Sequence, residues 1–278
     1  MVLDQTAKAA AFQALHRRHG AFVIPNPWDA GTARILAVLG YEALATTSAG
    51  LAFALGRRDS ERAVTRDETL ANTAAIAAAT DLPVSADLEN GFGDAPEQVA
   101  QTIRLSAQTG IVGASIEDAS GDRRLPIYDF ALAVERVAAA AQAAHSLPYP
   151  YCLTARAENF QFGRPDIEDT IRRLQAFAEV GADALYAPAL PNLDAIRTLC
   201  AAVPKPVNVV MGLAGPWYSI DALADAGVKR VSVGGALIRA ALGGFLRAAR
   251  EIKEQGTFGF VNAAMSFADA NDCMRPAS

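Results

Sequence analysis

Eight short apolar runs, separated by stretches with helical spacing, set the limits on what this chain can fold into. The runs cover residues 21–25, 41–47, 83–89, 112–117, 150–156, 182–187, 206–211 and 230–233. Between them the pattern predicts helices over 29–39, 66–80, 94–109, 129–144, 166–180, 192–202 and 219–226, and a last one from Gly234-Gly235 to about residue 254. Residues 48–66 read as a loop carrying glycine and arginine, and 118–128 as a second loop. Strand–helix alternation argues a parallel sheet. Continuous apolar strands fit a sheet covered on both faces. Prolines at Pro83, Pro204 and Pro206, and glycines at Gly181 and Gly227, stop each helix before the next strand. An open doubly wound sheet would show a glycine fingerprint after its first strand. Here that strand ends in Pro25-Asn26-Pro27-Trp28. The expectation is an α/β fold of the (β/α)8 barrel type, with residues 1–278 as one domain.

Composition removes several functions. Apolar residues make up 51% of the chain, enough for a large core, and the net charge of −5 offers no basic field for nucleic acid or an anionic membrane. No apolar run approaches the roughly 20 residues that span a bilayer. Residues 1–20 read as an amphipathic helix and not as a signal peptide. The three cysteines, Cys152, Cys200 and Cys273, are far apart and form no CxxC pair, which suits a reduced cytoplasm.

A barrel carries its chemistry at the carboxyl ends of its strands, and polar residues gather at those ends. The second strand closes on Thr46, Thr47 and Ser48, the third on Asp87 and Glu89, the fourth on Glu117 and Asp118, and the fifth on Arg156 and Glu158. Residues two apart in a strand point the same way. If the third strand persists to Glu89, Asp87 and Glu89 therefore project together, before Gly91 and Gly93 turn the chain and Asp94 and Pro96 open a helix. Such carboxylates suit a hard cation such as Mg²⁺. Lys8, Lys205, Lys229 and Lys253 all fall outside the barrel interior, which sets aside a Schiff-base aldolase. Gly234-Gly235 reads either as a phosphate cradle at a helix start or as close helix packing. Cys152, inside an apolar strand, reads as inert core.

Five segments together resemble the isocitrate lyase/phosphoenolpyruvate mutase superfamily: residues 25–31, 46–59, 86–93, 116–118 and 154–156. The resemblance implies a barrel whose last helix is exchanged with a neighbouring subunit, in a homodimer or homotetramer. It also implies cleavage or formation of a C–C or P–C bond beside a carboxylate, through a metal-bound 2-oxo acid or its enolate. Position by position it makes Asp87, Glu89, Glu117 and Asp59 the Mg²⁺ (or Mn²⁺) ligands, directly or through water. Asp59, Glu117 and Arg156 become catalytic. Arg156 grips the substrate carboxylate, which Thr47, Ser48 and Ala49 also meet, and Trp28 walls the pocket. Three of these residues carry a second reading: Arg156 as an internal ion-pair partner of Glu158 or Glu117, Trp28 as plain core, and Asp59 as a balance to the adjacent Arg57 and Arg58.

The departures from the family pattern matter for chemistry. Isocitrate and methylisocitrate lyases carry a cysteine in the loop after the fourth strand, and residues 119–128 contain neither cysteine nor histidine. Tyr128 and Ser120 are that loop's candidate proton donors, with Asp122 the acidic one; Arg123 and Arg124 could meet a second carboxylate. Glu89 stands where an aspartate is common, and Pro188 and Met211 where polar substrate contacts are. Three functions stay open: a C–C lyase or hydrolase of a 2-oxo or 2-hydroxy (di)carboxylate, a P–C mutase or hydrolase, and a 2-oxo-acid-binding protein without turnover. Residues 258–270 read as an extra apolar helix that needs the surface of another subunit.

Overall fold

The computed structural model describes residues 4–59 and 62–275. In chain order it begins with α1 (Gln5–Arg17), β1 (Phe22–Ile24), α2 (Ala30–Val38), β2 (Leu44–Ala45), α3 (Ser48–Ala54), α4 (Arg66–Ala78) and β3 (Val84–Asp87). Next come α5 (Pro96–Ala107), β4 (Gly113–Glu117), a hairpin of β5 (Ala119–Asp122) and β6 (Leu125–Ile127), α6 (Phe130–His145) and β7 (Cys152–Arg156). The chain closes with α7 (Ile167–Glu179), β8 (Ala184–Tyr186), α8 (Leu193–Ala202), β9 (Val207–Val210), α9 (Ile220–Asp225), β10 (Arg230–Ser232), α10 (Ala236–Gln255) and α11 (Phe267–Cys273).

Eight strands run parallel in the order β1-β10-β9-β8-β7-β4-β3-β2. The seam between β1 and β2 is drawn together by Ala45 N–H donating to Pro25 O at 3.0 Å and by Asn26, whose amide donates to Thr46 O at 2.9 Å. The Asn26 carbonyl oxygen accepts from Val233 and Gly234 N–H, at 2.9 and 2.8 Å. One side chain thus ties three strand ends together. The α/β barrel expected from the alternation is the fold. Leucine, isoleucine and alanine side chains of strands and helices form the main core between the two layers. On the amino side α1 plugs the barrel with Phe12, which packs with Phe22 and Ile24. A Cβ at Gly113 would stand 3.1 Å from the Phe12 ring and 2.7 Å from Cys152 O, so only glycine admits this plug.

Sequence capping signals act where expected. Asp29 caps α2, Thr65 with Glu68 forms a capping box on α4, and Asp166, Asn192 and Ser219 cap α7, α8 and α9. Four local expectations need correction. The stretch 48–66 is not all loop, because Thr47 accepts from Gly50 N–H and nucleates α3. Loop 118–128 folds into the β5–β6 hairpin. The cap of α5 is Ala95, since Asp94 is engaged elsewhere. The helix expected over 258–270 is a 3₁₀ turn, Gly259–Ala263, followed by the shorter α11, which touches α2 through Met274 O and Arg34 at 2.9 Å.

The eighth barrel helix, α10, buries only Ile238 along its 20 residues. Leu242, Phe245, Leu246 and Ile252 remain exposed on it, Phe245 at 70%. An amphipathic helix in a barrel normally covers its apolar stripe against the sheet. This one leaves the stripe bare.

Candidate active site at the carboxyl ends of the strands

Cross-strand register aligns one row of residues: Glu117 beside Arg156, Arg156 beside Tyr186, Tyr186 beside Asn208, and Asn208 beside Arg230. In-register neighbours face the same side of a sheet. All five line a cavity of about 590 Å³ that opens at the strand ends. Asp59, Asp87, Glu89 and Glu158 join them, as do Thr47, Ser48 and Ala49.

Asp87 ends β3 and is held from three sides. Its Oδ2 accepts from Ser48 N–H at 3.2 Å, and its Oδ1 accepts from Glu89 N–H and from Arg156 Nη1, each at 3.3 Å. The strand stops at Asp87, so strand alternation does not orient Glu89 as the sequence suggested. Glu89 adopts φ +48° instead. It reaches the same cavity through a turn. Burial, then repulsion from Asp87 and Asp59, pushes the Glu89 carboxyl up to about 7. Burial also raises Glu117 well above the carboxylate range, with Arg156 opposing and Glu158, Asp87 and Glu89 adding to the rise.

Arg156 is the internal ion-pair centre that the sequence left as an alternative. Its Nη1 meets Asp87 at 3.3 Å, its Nη2 meets Glu117 at 3.0 Å and its Nε meets Glu158 at 2.8 Å, while its guanidinium lies 4.9 Å from the Tyr186 ring centre. The guanidinium is engaged by three carboxylates of its own chain, and a substrate carboxylate would have to compete for it. Ser48 N–H is likewise engaged by Asp87, and the Thr47 hydroxyl by the cap of α3.

Three expected site residues lie away from the cavity. The Tyr128 hydroxyl donates to Asp94 Oδ1 at 2.6 Å and accepts from Asn90 at 3.0 Å, with Arg136 stacked 4.1 Å from its ring centre. The hairpin folds back before Tyr128 and delivers it into the core beside Arg136. The Ser120 hydroxyl turns into the hairpin, where it donates to Leu125 O and accepts from Asp122 N–H. Trp28 packs behind α3, where a Cβ at Gly50 would come within 2.8 Å of it. It is half-buried and belongs to neither the cavity wall nor the core clusters. Asp59 lines the cavity, and Asp122, Arg123 and Pro126 bring the hairpin over its mouth.

The sequence reading missed Tyr186, Asn208, Ser232 and Arg230, all on the cavity wall. Their signal was available. Each is a polar group inside an otherwise apolar strand, and polar groups on the inner face of a barrel need a purpose.

Comparison with known proteins places this geometry. The family model for phosphoenolpyruvate phosphomutase matches residues 12–253. The chain belongs to that family. Within it, an uncharacterized Mycobacterium tuberculosis (strain ATCC 25618 / H37Rv) protein is 32% identical over 245 residues, 88% of this chain and 89% of the relative. The 2-methylisocitrate lyase of Escherichia coli (strain K12) is 28% identical over 227 residues, 78% of this chain and 75% of the relative. The crystal structure of a candidate lyase/mutase from Burkholderia cenocepacia J2315 shares 59% identity with a TM-score of 0.94, covering 96% of this chain and 95% of the other. A candidate phosphonomutase from the same organism shares 34% identity with a TM-score of 0.79, over 91% and 100% of the two chains. The phosphoenolpyruvate phosphomutase family thus spans lyases and mutases on one barrel.

Proposed function

We propose that this chain is a Mg²⁺-dependent enzyme that cleaves a C–C bond beside the carboxylate of a 2-oxo or 2-hydroxy acid. The observation that carries this reading is the convergence of Asp87, Glu89 and Glu117 on one cavity at the strand ends. All are hard oxygen donors. Among the described residues no three His, Cys, Asp or Glu side chains stand close enough to hold a metal by themselves. Mg²⁺ does not require that: it takes one or two carboxylates and completes its octahedron with water and substrate oxygens. Burial raises Glu89 and Glu117, and repulsion from the neighbouring carboxylates adds to the rise; a dication would relieve that repulsion. The donor set fits, with Asp87 and Glu117 as holders and Glu89 and Asp59 acting directly or through water. Bound there, the ion supplies Lewis-acid stabilisation for charge growing on a substrate oxygen.

The chain's own residues do the rest. Ser48 N–H and Glu89 N–H fix the Asp87 carboxylate, and Arg156 locks Asp87, Glu117 and Glu158 into one network. Ser48 and Ala49 line the wall where the substrate carboxylate is assigned. Asp122, Arg123 and Pro126 of the β5–β6 hairpin stand at the cavity mouth. Since Ser120 and Tyr128 point elsewhere, proton return falls to a carboxyl of the cluster or to water.

A turnover screen of 2-oxo acids and malate derivatives with Mg²⁺, repeated with EDTA, tests the reading. Product that disappears with EDTA is expected. Binding without any turnover would instead mark a binding protein. A second reading, P–C cleavage, is favoured by the likeness to the candidate phosphonomutase. Phosphorus NMR of phosphonopyruvate with the protein separates the two.

A further inference from the structure

Arg230 is a buried cation of the cavity that meets no anion among the described residues. It opens β10, is 5% exposed and lines the cavity floor. Its Nε donates to Asn208 Oδ1 at 2.9 Å and its Nη2 to Thr154 Oγ1 at 2.9 Å, while Nη1 lies 3.5 Å from His16 Nε2. His16 adds no negative charge. Its Nδ1 lies 2.8 Å from Phe12 O, which assigns the ring proton to Nδ1 and leaves Nε2 as a neutral acceptor. The titratable groups that bear on Arg230 most are Cys152 and Tyr186, both neutral near pH 7.

The contrast with Arg156 is direct. Both arginines belong to the same register row, with Tyr186 and Asn208 between them. Arg156 holds three carboxylates; Arg230 holds none. A guanidinium cannot discard its proton inside a protein, and a charge kept from water without a counter-ion is costly. It presents five N–H donors. Three are directed at Asn208, Thr154 and His16, which leaves one on each terminal nitrogen. That pair matches the two oxygens of a carboxylate. Tyr186 also stands on the cavity wall. The strand-end part of the cavity carries the carboxylates Asp59, Asp87, Glu89, Glu117 and Glu158 together with Arg62, Arg123, Arg156 and Arg239. The Arg230 guanidinium, with no carboxylate beside it among the described residues, attracts an anion.

We infer that Arg230, with Asn208 beside it and the Tyr186 hydroxyl nearby, receives the second carboxylate of a dicarboxylic substrate. The inference rests on the functional reading above, and it adds the substrate's second charge and the end of the cavity that takes it. Neighbouring strands lie about 4.8 Å apart, so three spacings put the Cα atoms of Arg156 and Arg230 about 14 Å apart along the sheet. The Arg230 side chain crosses that span to Thr154 on β7, two residues before Arg156 on the same strand, so the two guanidinium ends stand about 7 Å apart along β7, the scale of a small dicarboxylic acid.

The test measures affinity by calorimetry with Mg²⁺ for two pairs of equal carbon count: malate against 2-hydroxybutyrate, and 2-oxoglutarate against 2-oxopentanoate. In the wild type, at least one dicarboxylate is expected to bind about tenfold or more tightly than its partner, the scale of a hydrogen bond to a charged group. Arg230→Met should erase that difference while leaving the monocarboxylate affinity unchanged. Arg230→Lys should restore part of it. If neither wild-type pair differs, or if Arg230→Met weakens both members equally in a folded protein, the subsite is overturned. Should Arg230→Met not fold, the wild-type pairs decide alone. Wild-type protein that binds none of these acids, nor oxalate, with Mg²⁺ would overturn the functional reading together with the subsite.

Discussion

Arg173 Nη1 lies 3.0 Å from Asp118 Oδ2, and both side chains are almost sealed from water. The pair anchors the carboxyl ends of β4 and β7 to α7. Asp118 Oδ1 accepts from Glu158 N–H at 2.8 Å, and Arg173 also donates to Tyr128 O at 3.0 Å, where the hairpin ends. A buried ion pair adds little over an apolar pair, but removing one partner leaves a stranded charge worth about 3–5 kcal/mol. Arg173→Met should therefore destabilise the fold by that amount in urea denaturation. An Asp118→Leu, Arg173→Met double variant should be clearly more stable than the single one. Equal loss in both would show that the pair does not act as a unit.

His16 packs edge-on to Phe12 and Phe22, with ring centres 4.7 and 5.0 Å away. Burial, then the nearby Arg230 charge, lowers its pKa to about 4. Its folded value lies below its unfolded value near 6.5. Between these the unfolded chain binds the extra proton, so stability is present at neutral pH and is lost as pH falls from about 6.5 to 4. The loss attributable to this group is about 2–3 kcal/mol, allowing for its partial exposure. A His16→Gln variant should show a stability difference between pH 7.5 and 4.5 smaller than the wild type by that amount. Parallel curves for the two proteins would contradict it.

Asp87→Ala should abolish Mg²⁺-dependent binding of oxalate while the barrel stays folded by circular dichroism. The carboxylate is the hub for Ser48 N–H, Glu89 N–H and Arg156. Unchanged affinity for Mg²⁺ and oxalate in calorimetry would remove Asp87 from the site.

None of the cysteines lines the cavity. Burial pushes the Cys152 thiol up to about 12 and the Cys200 thiol up to about 11, which keeps both protonated and unreactive. A triple Cys152→Ser, Cys200→Ser, Cys273→Ser variant should keep most of the wild-type kcat on whichever substrate the screen finds. A drop of about a hundredfold or more, the scale for losing a general acid, would point to thiol chemistry.

The bare stripe of α10 leads to an expectation about assembly. Phe245 is 70% exposed and Phe267 on α11 is 88% exposed. Covering a large apolar side chain is worth about 1.5–3 kcal/mol, which favours exchange of this C-terminal segment with a second copy. Full-length protein should sediment as a dimer or larger. Phe245→Glu with Leu246→Glu should shift it toward monomer. A wild-type monomer at micromolar concentration would rule out the exchange.

Much of this was readable along the chain because it depends on local spacing. The strand–helix alternation, the caps at Asp29, Thr65, Asp166, Asn192 and Ser219, and the acids at the strand ends are properties of neighbours in sequence. They needed no knowledge of distant contacts. The tertiary structure decided which partner each polar group meets. Glu89 enters the cavity by a left-handed turn and not by strand alternation. Tyr128 is taken by Asp94 and Asn90, from segments 34 and 38 residues away. Arg156 is claimed by Asp87, 69 residues away. Arg230 and Thr154, 76 residues apart, meet only because barrel closure and register set β10 and β7 facing one inner wall. Pairing across strands is long-range and directional, and a one-residue shift in register reverses every side chain. Short strands of two to five residues therefore reveal that a barrel forms, while closure of the barrel selects the side chains that share its interior.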